Sequence, residues 1–484
     1  MKTDTLRPVS PGVYEISPDY KKGMRVPARI YAGESMVADM DNAVLEQLAN
    51  VAMLPGIQKY ALCMPDGHSG YGFPIGGVAA IDPDTGVISP GGIGFDINCG
   101  IRLVATNLTY EEIKPSLTKI VDRLFAAVPS GVGGKGMITL SRSEFDNAVR
   151  EGASWAVKKG YGMAADIEYA EDNGTVAFAD PSCVSMKAFE RGKNQIGTLG
   201  SGNHFLEIQV VKKEHVFDEA RARTFGIVRE NQVFLMIHCG SRGYGHQIAS
   251  DYLQRFLPLM NGKYGLSMPD RELACVPFRS EDGQAYFAAM NCAINFAFVN
   301  RQLIMHRVRE VFSEVFRKAP EDLGMRLVYD VCHNTARLER HIIDGKDRQL
   351  LVHRKGATRA FPGTMKGVPG RYVDSGQPVI IGGSMETGSY LLAGAESAAG
   401  SFYSTAHGSG RAMSRTQAKK QFNGRELLRT MHDRGIYVQT ASLSGLAEEA
   451  GAAYKDIDEV VRAAECAGIS RTVAKFIPVG NIKG

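Results

Sequence analysis

No stretch of the 484 residues reaches 18 uncharged apolar positions in a row, and the opening MKTDTLRPVSPGVYEISPDY lacks the apolar core of an export signal. The expectation is a soluble, cytoplasmic protein with no membrane partner. Cysteine is scarce and scattered. The eight, at 63, 99, 183, 239, 275, 292, 332 and 466, form no CxxC pair, which argues against both a disulfide framework and a zinc ribbon. An excess of one charge is also lacking: 56 Lys and Arg against 52 Asp and Glu leave only +4. No global basic field announces a polyanion, so any site for one has to be a local patch. No proline-rich linker, low-complexity tract or internal repeat divides the chain, which predicts one domain over residues 1–484.

Glycine, by contrast, is abundant at 54 residues, above the usual ~7%, and many turns must bring backbone close to something. Helical periodicity marks about 110–128, 144–159, 245–260, 286–317 and 456–467. In the last of these Asp458 and Glu459 sit in the first turn and Gly468 follows the end, the polarity a helix dipole and cap require. Runs rich in Val, Ile, Leu and Phe at 101–107, 205–211, 233–238, 326–332, 349–353 and 377–381 read as strands. The class predicted is α+β, with mixed sheets and surrounding helices.

Six metal-type side chains, Asp96, Cys99, His204, His238, His333 and His407, sit where apolar runs meet glycine- or asparagine-rich turns. Strand ends can converge on one point, so a buried metal site there is the first hypothesis. Asp96 and Cys99 lie three residues apart in GGIGFDINCG and could chelate together, and a thiolate can bridge two cations. One histidine of this kind is more often a hydrogen-bonded core residue, but three alike, each with a polar neighbour (Asn203, Ser241, Asn334), favour ligation. This donor set suits Mn, Fe, Co or Zn.

Two glycine-rich stretches, 382–389 and His407-Gly-Ser-Gly-Arg411, have the character of phosphate cradles, and Gly131–Gly136 does so more weakly. Arginines recur beside them at 191, 242, 411 and 415, with a basic cluster at 354–359. That is the arrangement a polyanion path to a metal site would need.

Taken together, MPDGHSGYGFPIGG (64–77), GGIGFDINCGIR (91–102), LGSGNHFLEI (199–208), HCGSRGYGHQ (238–247), VYDVCHN (328–334), HRKGATRAFPG (353–363) and AHGSGRAMSR (406–415) resemble the RtcB family of RNA ligases across nearly the whole chain. The resemblance implies a GTP- and Mn²⁺-dependent enzyme joining an RNA 3′-phosphate or 2′,3′-cyclic phosphate to a 5′-hydroxyl, in tRNA splicing, RNA repair or both. By the same resemblance Asp96, Cys99, His204, His238 and His333 would bind two manganese ions, with Cys99 bridging. His407 would be the guanylylated nucleophile rather than a sixth ligand, oriented by Asp66. Asn203, Phe205, Glu207, Asn334, Ser384, Ser389, Gly408, Gly410, Tyr454 and Lys483 would hold GTP. Glu207 would take the guanine N1 and N2 donors, Lys483 would reach O6 or N7, and Tyr454 would pack on the base. Arg191, Arg242 and Arg411 would hold RNA or nucleotide phosphates, and some relatives use an archease-type activating protein. The competing reading is a two-metal phosphatase or phosphodiesterase, which would need the same cluster without a covalent nucleophile or a guanine pocket.

Overall fold

Long β-branched runs that alternate direction can bury both faces only by building large sheets with helices packed on them. A computed structural model of the chain, describing residues 5–131 and 133–484, shows two such sheets. Val132, within the weakest of the glycine loops, lies outside the described residues. The first sheet runs in the order Arg7–Ser10, Val13–Ile16, Ala28–Tyr31, Ile57–His68, Ile75–Ile81, Lys346–Lys355, Asn334–Ile343. Its pairings are antiparallel except that between Ala28–Tyr31 and Ile57–His68. The second runs Arg326–Cys332, Gly100–Thr109, Gln232–Cys239, Phe205–Val211, Arg471–Lys483, Ser389–Ala393, Pro378–Ile381, with Tyr437–Thr440 pairing parallel to the C-terminal strand. The α+β class is as predicted.

Register in the second sheet positions the site. Gly100 pairs with Cys239 and Cys332, Phe205 pairs with His238, and Lys483 pairs with Phe205. One end of the sheet therefore carries Cys99, His204, His238, His333 and Lys483 together, although they are scattered over nearly 400 residues of sequence. Strand Arg326–Cys332 leaves the second sheet at this end, and Asn334–Ile343 enters the first. His333 is thus the hinge between the two sheets. The short pair Ala357–Arg359 and Ser404–Ala406 delivers His407 to the same place.

The five helical regions predicted from periodicity are present, with breaks where local chemistry demands them. Pro115 interrupts 110–128 between Tyr110–Ile113 and Leu117–Ala127, and Gly152, at φ +59°, separates Arg142–Glu151 from Ala153–Lys158. The long helix starts earlier than its periodicity suggests, at Glu281, because Ser280 caps it by accepting from the Gly283 amide, and it runs 36 residues to Phe316. Asp456 caps Ile457–Cys466. The five strands between Arg7 and Ile81 were not foreseen. Nor was the 13-residue strand Arg471–Lys483; Pro478 and Gly480 sit at a bulge within it. Among the described residues no helix is long and apolar enough to cross a membrane.

Candidate active site

The segment 96–99 is a tight turn, closed by the Cys99 amide donating to the Asp96 carbonyl at 3.0 Å. Asn98 occupies its left-handed position, φ +55°, which asparagine tolerates better than most residues. The turn is stitched to the sheet junction: Asn98 N donates to Asn334 O and His333 N to Cys99 O, both at 2.8 Å. Buried Arg301, reaching from the long helix, donates to the carbonyls of Asn98 (2.8 Å) and Cys239 (2.9 Å) and to Asp330 (2.8 Å). Arg102 holds the other oxygen of Asp330, and all three side chains are 0% exposed. One guanidinium thus braces the two loops bearing Cys99 and His238. Arg301→Met is expected to destabilise the fold by about 3–5 kcal/mol, the usual cost of breaking a buried charge network. Urea unfolding at equilibrium checks this, and a change under about 1 kcal/mol would show that Arg102 suffices.

Side chains from four segments meet on this frame. His204 Nε2 lies 2.8 Å from Asp96 Oδ2 and 3.4 Å from Cys99 Sγ, and His238 Nε2 lies 3.2 Å from the same sulfur. Asp96, Cys99 and His204 form a group with metal-chelating spacing. His333 stacks edge-on to His238 with centroids 5.5 Å apart; its Nδ1 meets Thr358 Oγ1 at 2.9 Å while its buried Nε2 has no protein partner. A buried imidazole nitrogen left bare beside a thiol shared by two histidines fits a divalent cation. The donor set of one carboxylate, one thiol and three imidazoles fits manganese or its neighbours. Burial, and then neighbouring cationic groups, pushes His238 and His333 well below the ordinary histidine range, leaving them in the neutral form that binds metal. Burial and Asp96 push the Cys99 thiol up to about 11, a preference a bound cation would reverse.

His407 adjoins this cluster without belonging to it. Its ring centroid is 5.1 Å from that of His333, and its Nδ1 lies 2.5 Å from Asp66 Oδ2, which also accepts from the backbone amides of His407 and Gly408. A carboxylate can only accept here, so in the neutral imidazole the proton sits on Nδ1 and Nε2 carries the lone pair. Burial pushes Asp66 up, but His407 outweighs it and holds the carboxyl below its ordinary value.

A cavity of about 230 Å³ opens over the cluster. Asp96, Cys99, His238 and His407 form its floor, with Asn203, Phe205, Asn334, Ser384, Gly408, Gly410, Arg411, Tyr454 and Lys483 among its walls. Several assignments made from sequence change in detail. Glu207 and Ser389 do not line the cavity: they stand behind it, Glu207 accepting from Gln209 and Asn481 at 2.5 and 2.6 Å, and Ser389 from Gln209 and Gly383. Asn334 is occupied on both ends of its amide, with Asp96 O and Gly356 N, so it shapes the wall. One face of Tyr454 is covered by the Arg411 guanidinium, 4.9 Å from the ring centroid. Four of the five Arg411 donors are engaged by Met413, Glu449, Tyr454 and Glu448, so it braces the pocket rather than waiting for phosphate. Arg191 donates to Gln247 away from the cavity. Arg242 lies beside His204, its Nη1 2.9 Å from a ring nitrogen already facing the Leu199 carbonyl, and its Nε is buried without a partner.

Two wall residues were missed in the sequence. Glu449, 2% exposed at the side chain, lies 3.8 Å from Lys483 and also meets Arg411 and Tyr454. Nothing in its local sequence, AEEAGAA, marks it. His68 lies two residues beyond Asp66 on the same strand, a spacing that puts both on one face and could have pointed to it.

Fold and site together define an α+β protein whose thiol, imidazole and carboxylate cluster opens on a cavity with cationic and carboxylate walls. The family model described as "tRNA-splicing ligase RtcB" matches residues 47–484. The tRNA-splicing ligase RtcB of Thermococcus kodakarensis is 54% identical, covering 96% of each chain. That of Methanococcus maripaludis is 51% identical over 99% of each. RNA-splicing ligase RtcB homolog 1 of Entamoeba dispar is 45% identical over 97% of this chain and 89% of its own. The chain belongs to the RtcB family.

Proposed function

We propose that this protein is an RNA ligase that joins RNA 3′-phosphate or 2′,3′-cyclic phosphate ends to 5′-hydroxyl ends, with GTP as the activating co-substrate, in tRNA splicing, RNA repair or both. The observation that carries the reading is His407: its Nδ1 proton is held by Asp66, so the bare Nε2 is available beside the donor cluster. A neutral imidazole so oriented is a competent nucleophile toward the α-phosphorus of GTP. Two manganese ions, held by Asp96, Cys99, His204, His238 and His333, would supply charge neutralisation for the phosphate oxygens. His407 would then carry GMP as a phosphoramidate and pyrophosphate would leave, and a 2′,3′-cyclic phosphate end would be opened by water to the 3′-phosphate before the next step. The RNA 3′-phosphate takes over the GMP to give an RNA(3′)pp(5′)G end, and the 5′-hydroxyl displaces GMP to form the phosphodiester. Arg242, with its unpartnered Nε beside His204, is suited to grip a phosphate oxygen.

Guanine would sit over Phe205, with Lys483 donating to O6 or N7. The carboxylate of Glu449, 3.8 Å from that lysine in the cavity wall, is the acceptor available for N1 and N2. Incubation with α-labelled GTP and Mn²⁺ followed by denaturing electrophoresis tests the reading. A labelled protein band that chases onto 3′-phosphate RNA is the expected result, and hydrolysis of phosphate esters without labelling would favour the two-metal phosphatase instead.

Lys483 is expected to matter more than a penultimate residue usually does. It is 3% exposed, and its carbonyl accepts from the Ala441 amide. Lys483→Met keeps that backbone bond and removes only the charge, so it isolates the ammonium better than truncation does. A hydrogen bond from a charged donor contributes roughly 1.5–3 kcal/mol, about tenfold to a hundredfold in affinity. GTP titration of the labelling reaction should shift by that factor and GTP-over-ATP preference should relax. An unchanged titration would remove Lys483 from the base pocket.

A further inference from the structure

A second cavity, of about 780 Å³, lies against the first and shares His68, Ile75, Arg411 and Arg415 with it. Lys455 and Ser414 add to its polar wall. Its acidic members are four, Asp39, Asp41, Asp456 and Glu459, of which Asp41 and Asp456 are helix caps whose carboxylates accept from the amides of Ala43 and Asp458. Arg191 and Arg242 belong to the Asp96–His204 side and line neither cavity.

His68 stands on the boundary between the two cavities. Its Nδ1 lies 3.0 Å from the Asp66 carbonyl, which can only accept, so the ring proton is on Nδ1 and Nε2 is a bare acceptor. Burial pulls the ring down to about 4, so it stays neutral at physiological pH. A bare acceptor gives nothing to a phosphate oxygen. It suits a hydroxyl carried next to a phosphate. Asp66 joins the two functions, with its side chain on His407 and its carbonyl on His68.

We propose that the second cavity seats the terminal ribose of the RNA strand bearing the 3′-phosphate, and that His68 Nε2 accepts a hydrogen bond from its 2′-hydroxyl. This rests on the ligase reading above and adds to it a residue that distinguishes RNA from DNA ends. The 2′-hydroxyl is the group by which a protein can tell the two apart at a given position. The phosphate on the neighbouring carbon then points toward His407, and the 5′-hydroxyl strand is left to the Arg242 side.

The test compares single-turnover joining of strands identical except for a ribose, deoxyribose or 2′-fluoro sugar at the 3′-phosphate nucleotide. Wild type should favour the ribose end by about tenfold to a hundredfold, the range for a buried acceptor left without its donor. His68→Ala should bring the ribose rate down to the deoxyribose rate. His68→Gln, whose amide oxygen can accept, should retain part of the preference. The ribose-to-deoxyribose ratio is internal to each preparation, so a misfolded fraction cancels. A wild-type ratio near one, an unchanged ratio in His68→Ala, or an equal loss on both ends would overturn the assignment. Failure of wild type to join any end would instead overturn the ligase reading.

Discussion

His407→Ala is expected to abolish covalent labelling by α-labelled GTP completely while leaving the bound-metal content unchanged. The imidazole is the nucleophile in the proposed reaction, and it stands beside His333 rather than within the group of Asp96, Cys99 and His204. The wild-type label should be released by acid and resist alkali, as a phosphoramidate does. Asp66→Asn should slow labelling on the order of 10⁴-fold, the scale seen when a carboxylate that sets a histidine tautomer is lost. Here the same oxygen also accepts two backbone amides, so the His407 loop would loosen as well. Labelling of His407→Ala at the wild-type level would remove the residue from its role, and loss of metal along with labelling would make it a ligand.

The second large effect is expected at Cys99. Its sulfur lies within 3.4 Å of both His204 Nε2 and His238 Nε2, so it can touch two imidazole ligand candidates at once. A serine hydroxyl stays protonated at neutral pH and cannot bridge two cations as thiolate does. Cys99→Ser should weaken manganese binding by roughly a hundredfold or more, beyond the 10–100-fold typical of losing a group that merely supports a ligand. Guanylylation and joining should fall with it. Cys239→Ser and Cys332→Ser should be milder despite sitting next to ligands. The Cys239 sulfur faces the carbonyls of Thr198 and Leu199, and that of Cys332 faces Arg301. Metal analysis of the three purified variants decides the matter, and equal loss from all of them would mean that the bridging assignment is wrong.

Much of the donor cluster was legible because it obeys a local rule. Each ligand candidate closes or opens an apolar run, and a strand end next to glycine or asparagine is visible without knowing what it faces. The strands 205–211, 233–238 and 326–332 were found for the same reason, being continuous Val, Ile, Leu and Phe runs buried on both faces. Three of the N-terminal strands escaped because they are only four residues long, and the two longer ones because Pro65 and Gly67 interrupt Ile57–His68 and Gly76 and Gly77 interrupt Ile75–Ile81, which pairs with the distant Lys346–Lys355. Arg471–Lys483 escaped because Pro478 and Gly480 look like strand breakers, whereas a bulge accommodates both.

By itself the sequence determined which groups are available: five metal-type donors, a fourth histidine in a glycine loop, cationic side chains near both, and the family motifs that contain them. Only the tertiary structure decided how those groups divide. His407 is set apart from the candidate ligands because Asp66, 341 residues away, accepts a hydrogen bond from its Nδ1. Arg411 becomes a brace because Glu449 and Tyr454 fold onto it, and Glu207 withdraws behind the wall because Gln209 and Asn481 satisfy its carboxylate. His68 gains an acceptor aimed between two cavities only because one carbonyl settles its tautomer. The type of a side chain is written in the chain, but its protonation, partners and exposure are set by whatever the fold brings within about 3 Å of it.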